Sequence, residues 1–165
     1  MIKIGLLRNN MQSTLFIFTG LPGTGKTTYA KTLAVDTHAK LFSLDSEMHK
    51  RYGDDDHVDL EIREQATKDE LLPEIQSLLS AGTSVILDYG FYKQKEREKY
   101  KQIAEHIGVP SRIMYFAAPY ETLLERIGKR NEEEDNIHHI DKEILDILIE
   151  RYEIPESESV EIIET

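Results

Sequence analysis

Eight consecutive residues constrain this chain more than any others: Gly20-Leu21-Pro22-Gly23-Thr24-Gly25-Lys26-Thr27 fits the phosphate-binding pattern G-x-x-x-x-G-K-[ST]. The run Leu15 to Phe18 before it is short, apolar and aromatic, as in a buried strand. Thr27 to Ala34 after it carries apolar positions at helical spacing, so the loop joins a strand to a helix. Gly20, Gly23 and Gly25 can adopt backbone angles closed to other residues, which lets main-chain N–H groups close around phosphate oxygens. The helix beginning near Lys26 aims its positive dipole end at the same anion. Leu21, Pro22, Thr24 and Thr28 complete the expected cradle. Lys26 adds a mobile full charge for β- and γ-phosphates, and the Thr27 hydroxyl is placed to ligate Mg²⁺. A ligand carrying β- and γ-phosphates, together with Mg²⁺, is therefore expected.

A length of 165 residues suits one domain with a single core. The expected organisation is a domain over 11–165, preceded by 1–10 as an N-terminal extension or, from the alternation in Ile2 to Leu7, an edge strand. Met1 and Met11 are both open as translation starts. Cysteine is absent, which removes disulfides and thiolate metal sites. The longest apolar runs fall far short of the roughly 20 residues that span a bilayer. Met1 to Leu7 is too short for a secretory segment, and a soluble cytoplasmic protein is the default expectation. The formal charge of −11 gives an average surface field that repels polyanions, which disfavours long nucleic acid as a partner. Nothing in the sequence specifies an oligomeric state.

Further along, Lys40 to Leu44 reads as a second strand ending at Asp45, with a turn or short helix from Ser46 to Tyr52. Val58 to Ala81 has helical spacing, with Pro73 expected to kink or divide the helix and Gly82 to stop it. Ser84 to Leu87 is a continuous apolar strand running into Asp88, and Tyr89 to Tyr92 is expected as a loop. A charged helix over Lys93 to His106, a strand over Arg112 to Ala117, a helix from Pro119 to about Arg130, a helix over Asp141 to Tyr152 and a strand over Val160 to Ile163 complete the chain. Strands alternating with helices imply an α/β fold: a parallel sheet with helices on both faces, whose ligands bind beyond the strands' carboxyl ends. The loop, Asp45 and Asp88 all fall on that edge.

Asp88 is a candidate for the acidic group acting on Mg²⁺, against an Asx-turn or helix cap. Asp45 is a candidate to orient and deprotonate an acceptor hydroxyl, against capping of the helix begun by Ser46 and Glu47. Arg126 and Arg130, four residues apart, share one helix face and could both reach a triphosphate as lid arginines over about 126–140. Surface pairing with Glu125 and Glu132 is the alternative. Glu132 to Asp135 reads as a solvated lid loop. His138 and His139, adjacent and without partner ligands at a recognisable spacing, do not suggest zinc. Phe91 and Tyr92 are balanced between an acceptor pocket and core packing.

These residues together resemble the P-loop kinases grouped with zeta toxin, chloramphenicol phosphotransferase and the polynucleotide 5′-kinase domain. The resemblance covers roughly Leu15 to Glu158. It rests on the loop at Gly20 to Thr27, Ser43-Leu44-Asp45, Val85 to Phe91 with Glu96-Arg97-Glu98, Arg126 to Asn131, and Tyr152 to Pro155. It implies a five-stranded parallel sheet in the order 2-3-1-4-5 with a small helical lid, ATP with Mg²⁺ as donor, Asp45 as the base, and Lys26 and Arg130 as catalytic cations. Many relatives carry an Arg three residues after the base, where this chain has Met48 and offers Lys50 or Arg51 only further along. The expected activity is ATP-dependent transfer of the γ-phosphate to a hydroxyl of a small molecule. A nucleotide-dependent regulatory ATP-binding protein and a nucleic-acid 5′-end kinase are the alternatives.

Overall fold

The computed structural model describes residues 12–53, 59–133 and 139–165, so the expectations for 1–10 and for part of the lid loop lie outside the described residues. The strands are β1 (Leu15–Thr19), β2 (Lys40–Ser43), β3 (Val85–Gly90), β4 (Ser111–Ala117) and β5 (Val160–Glu164). The helices are α1 (Lys26–Thr37), α2 (Leu44–Tyr52), α3 (Leu60–Ser80), α4 (Gln94–Ile107), α5 (Tyr120–Asn131) and α6 (Lys142–Arg151). The strands form one sheet in the order β2-β3-β1-β4-β5 with every pairing parallel. Each crossover carries a helix, as parallel neighbours require.

All residues of β1 and β3 are buried, which is why these segments read as unbroken apolar runs rather than alternating ones. On one face Ile17, Phe42 and Leu87 pack with Met48, Ile75 and Tyr100 from α2, α3 and α4. On the other, Phe16, Phe18 and Ile86 meet Ala30 of α1. A third cluster joins α5 and α6 through Leu123, Ile127 and Leu145, and Leu21 of the glycine-rich loop packs against it.

Three expectations need correction. β3 continues through Asp88 and Tyr89 to Gly90, because Asp88 still pairs in register with Phe18 of β1 and Ser43 of β2. Asp45 does not end a strand: α2 begins at Leu44, which places Asp45 in its first turn, with Ser43 at the cap position. Pro73 does not divide α3. A proline inside a helix costs about 3 kcal/mol. Leu71, Ile75 and Leu79, spaced four apart and buried, each contribute about 1.5–3 kcal/mol and together outweigh that cost. Pro73 and Asp69 also lie on the exposed face, where water can satisfy the carbonyl left without a donor. The helix ends where the N–H groups of Gly82 and Thr83 return to the carbonyls of Leu79 and Leu78.

Candidate functional site

The loop between β1 and α1 is shaped by close approach. Gly20 has φ +148°, and a Cβ there would lie 2.6 Å from the Phe116 carbonyl oxygen of β4, so no other residue fits without moving the sheet. Its N–H donates to the Gly90 carbonyl at 3.2 Å, which ties the loop's entrance to the end of β3. Gly25 caps α1 at φ +78°, and the first N–H groups of that helix have no intrahelical partners, as at any helix start. The Leu21 carbonyl accepts from Thr24 Oγ1 and Lys26 Nζ, each at 2.8 Å, and Thr24 is buried while Pro22 is half-buried and Thr28 exposed.

Lys26 is the electrostatic centre. Loss of solvation pulls its pKa down to about 8, while Asp88 and Asp45 push it back up and Arg130 lowers it further. One ammonium thus faces two carboxylates and a guanidinium drawn from β3, α2 and α5. Thr27 Oγ1 donates to Asp88 Oδ2 at 2.7 Å, so the hydroxyl and carboxylate expected around a metal are adjacent. Asp88 is 7 % exposed, and burial raises its pKa, against the opposing pull of Lys26 and the Thr27 hydrogen bond. Among the described residues no three His, Asp or Glu side chains form a metal cluster. Two oxygen donors on one side suit a Mg²⁺ that completes its shell with phosphate oxygens and water.

The two arginines of α5 behave differently, although the spacing expected them to act together. Arg126 Nη1 donates to the Gly23 carbonyl at 3.2 Å and to Thr165 Oγ1 at 3.0 Å, which braces the loop from outside. Arg130 is the one within electrostatic reach of Lys26 and Tyr92, and its Nε has no hydrogen-bond partner among the described residues. Glu125 pairs with Lys129 at 2.6 Å rather than engaging Arg126 in a salt bridge. Asn131 at the end of α5 exchanges hydrogen bonds with the main chain of Ile140, closing the base of the intervening segment.

Asp45 is exposed, and its charge reaches Lys26, Asp88, Glu64 and Tyr92. Phe91 is 1 % exposed and packs in the core against Tyr89 and Tyr100, whereas Tyr92 is half-buried and within electrostatic reach of Asp45, Glu64, Tyr152 and Arg130. Glu64 of α3 was not foreseen. Its pKa is raised, mainly by desolvation, with Lys68 opposing and Glu96 and Asp45 reinforcing the rise. Lys68, nearly buried, lies 2.9 Å from Glu96 and 3.8 Å from Glu64. The one signal available was the i,i+4 spacing of Glu64 and Lys68, which is common on any solvated helix.

Met48 is buried in the core. Lys50 and Arg51 are engaged elsewhere, Lys50 with Glu47 at 2.7 Å and Arg51 with Glu47 at 3.0 Å and Glu70 at 2.7 Å. A shallow depression lined by Lys93, Gln94, Lys95, Glu98 and Glu153 contains none of the loop residues. No described helix is long and apolar enough to cross a membrane.

Solved structures share this architecture. A candidate kinase from Chloroflexus aurantiacus J-10-fl matches at TM-score 0.73 with 21% identity, over 93% of this chain and 89% of its own. Kti12 from Chaetomium thermophilum, solved with ADP-AlF3, matches at TM-score 0.71 with 23% identity over 91% and 88%. The Mycobacterium tuberculosis APS kinase, solved with AMPPNP and APS, matches at TM-score 0.67 with 16% identity over 93% and 88%. No curated protein matches the chain in sequence. The family model AAA_33, described as an AAA domain, matches residues 15–155, which spans the sheet, the glycine-rich loop and both arginines of α5: the chain belongs to this family of P-loop, kinase-like domains.

Proposed function

We propose that the protein is an ATP-dependent phosphotransferase acting on a hydroxyl of a small molecule, and that within the P-loop kinases it groups with zeta toxin, chloramphenicol phosphotransferase and the polynucleotide 5′-kinase domain. The observation that carries this reading is the Thr27–Asp88 hydrogen bond at 2.7 Å beside the glycine-rich loop, with Asp88, Asp45 and Arg130 all within electrostatic reach of Lys26. In this reading the main-chain N–H groups from Gly20 to Thr28 and the start of α1 hold the β- and γ-phosphates. Lys26 and Arg130 neutralise the charge that develops as the acceptor oxygen bonds to the γ-phosphorus and the bond to the bridging β,γ oxygen breaks. Asp45 orients the acceptor hydroxyl and takes its proton as ADP leaves. Thr27 and Asp88 would hold Mg²⁺, which supplies charge neutralisation between the phosphates.

The surroundings of Asp45 bear on the acceptor. Glu64 lies within electrostatic reach of Asp45, Lys68 stands between Glu64 and Glu96, and Met48 supplies no charge. An excess of carboxylate favours a neutral or cationic acceptor over a phosphorylated one. The test is acceptor-dependent ADP formation across a panel of metabolites, nucleosides and antibiotics, with Asp45→Asn as control. Saturable stimulation that Asp45→Asn removes without weakening ATP binding is the expected result. ATP binding with only slow, acceptor-independent hydrolysis would favour a regulatory nucleotide-binding protein instead.

A further inference from the structure

We propose that Arg97 is a positioning residue for the acceptor: by gripping the Phe91 carbonyl it fixes the loop that aims Tyr92 between Asp45, Glu64 and Arg130. This rests on the phosphotransferase reading above. Arg97 belongs to α4, whose Lys93-to-Lys101 stretch otherwise reads as a solvated face, yet it is 0% exposed. A guanidinium is buried at great cost unless its donors are used. Here they are: Nε donates to both carboxylate oxygens of Glu158 at 3.0 Å, Nη1 to the Phe91 carbonyl at 2.7 Å, and Nη2 to Glu158 Oε1 at 2.6 Å and the Glu153 carbonyl at 2.8 Å. The carboxylate neutralises the charge, and the two carbonyls satisfy donors that it leaves over. The two carbonyls belong to the turn after β3 and to the chain leaving α6.

The backbone they hold is strained. Gly90 has φ +77° and Phe91 φ +42°, two successive residues in a region that an aromatic residue rarely enters. A Cβ on Gly90 would stand 3.2 Å from the Tyr92 ring. Such a turn persists only where the surroundings over-determine it. It sends the Phe91 ring into the core and the next side chain, Tyr92, toward the cleft. The same Phe91 carbonyl accepts from Thr19 Oγ1 at 3.0 Å, and Thr19 Oγ1 also bonds the Tyr152 hydroxyl at 2.8 Å. Glu153 N–H donates to the Tyr92 carbonyl at 2.9 Å, and the rings of Tyr92 and Tyr152 meet edge to face at 5.6 Å. Thr19 directly precedes Gly20. The acceptor-side loop, the entrance of the phosphate loop and the chain leaving α6 therefore share one knot, and Arg97 is its buried charge.

The test compares the full chain with Arg97→Lys, Glu158→Gln and Tyr92→Ala, each checked for folding by circular dichroism. A lysine keeps the charge but cannot reach Phe91, Glu153 and Glu158 together. The expected result for Arg97→Lys is an acceptor KM raised about tenfold or more with the ATP KM little changed, since small misplacement of a positioning group is costly. Glu158→Gln shifts the same ratio less, and Arg97→Lys adds little once Tyr92 is Ala. An equal rise in both KM values, or an unchanged acceptor KM, overturns the proposal. Hydrogen exchange needs no acceptor: Arg97→Lys should speed exchange over 89–93 and 152–158 while α1 stays protected, and unchanged exchange also overturns it. A wild-type protein that no acceptor stimulates would refute the phosphotransferase reading and the acceptor role of Arg97 with it, while exchange would still show whether Arg97 holds the loop.

Discussion

Lys26 shows how a single residue sets function against stability. Its folded pKa of about 8 lies below the ordinary 10.5, and desolvation is the main cause. Between those values the unfolded chain binds more protons, so stability rises with pH there. The destabilisation is fully present below about pH 8 and fades toward pH 10.5. Lys26→Met should therefore melt no lower than the wild type at pH 7, and the difference in Tm should shrink by pH 10. The same variant should lose about 10²-fold or more in turnover, the scale seen when one preorganised charge-stabilising donor is removed. Calorimetry at the two pH values and a turnover assay check both halves. Asp88 carries the opposite charge under the same constraint. Its folded pKa is raised, so ionisation opposes folding: stability falls as pH rises from the ordinary carboxylate value through the folded one, and the opposition persists above it. Asp88→Asn should thus hold or gain stability at pH 7. It should also lose most of the Mg²⁺ dependence of nucleotide affinity, as titration calorimetry with and without the metal would read.

At the scale of elements, helix starts decide which side chains face the site. Asp59 caps α3 by accepting from the N–H groups of Glu61 at 2.9 Å and Ile62 at 3.4 Å. Asp59→Ala should cost about 1 kcal/mol by chemical denaturation, the usual loss for such a cap. Helix starts are also where the sequence was hardest to read. The strands were legible because β1 and β3 are apolar on both faces and the loop pattern fixes what stands between β1 and α1, whereas their order was an expectation of the family resemblance alone. Asp45 was placed on the right edge but in the wrong element, since Ser43-Leu44-Asp45-Ser46 offers several capping residues in a row and local pattern cannot choose among them. Asp88 was expected beyond its strand because a carboxylate seldom stays paired and buried. It does so here only with the Thr27 hydroxyl and Lys26 beside it. Arg97 falls within the Glu96-Arg97-Glu98 stretch of the resemblance, but its burial was hidden by its neighbours: in a helix reading Gln-Lys-Glu-Arg-Glu-Lys, nothing local separates the one buried charge from the solvated ones. Its partner Glu158 lies 61 residues away.

At the scale of the whole molecule the field is negative, with 20 Lys and Arg against 31 Asp and Glu. This bears directly on whether the acceptor is a strand of nucleic acid. A 5′-end kinase must hold several phosphates, and each one neutralised makes affinity fall with salt at a logarithmic slope of about −0.7 to −0.9. Several described cations are already committed: Lys68 to Glu96 and Glu64, Arg51 to Glu47 and Glu70, and Arg126 to the loop carbonyl and Thr165. Lys26 and Arg130 face the transferred phosphate itself. A strand approaching Asp45 would meet Glu64 and Glu96 with no arginine at position 48 to offset them. A neutral or cationic metabolite would meet the same carboxylates favourably. We therefore expect 5′-hydroxyl oligonucleotides to be poor acceptors, with labelling from ATP well below that of the best small hydroxyl compound at both low and physiological salt. Raising salt should change small-molecule transfer little. Efficient oligonucleotide labelling that falls steeply with salt would contradict this, because it would require a local basic channel strong enough to outweigh both the net charge and the carboxylates around Asp45.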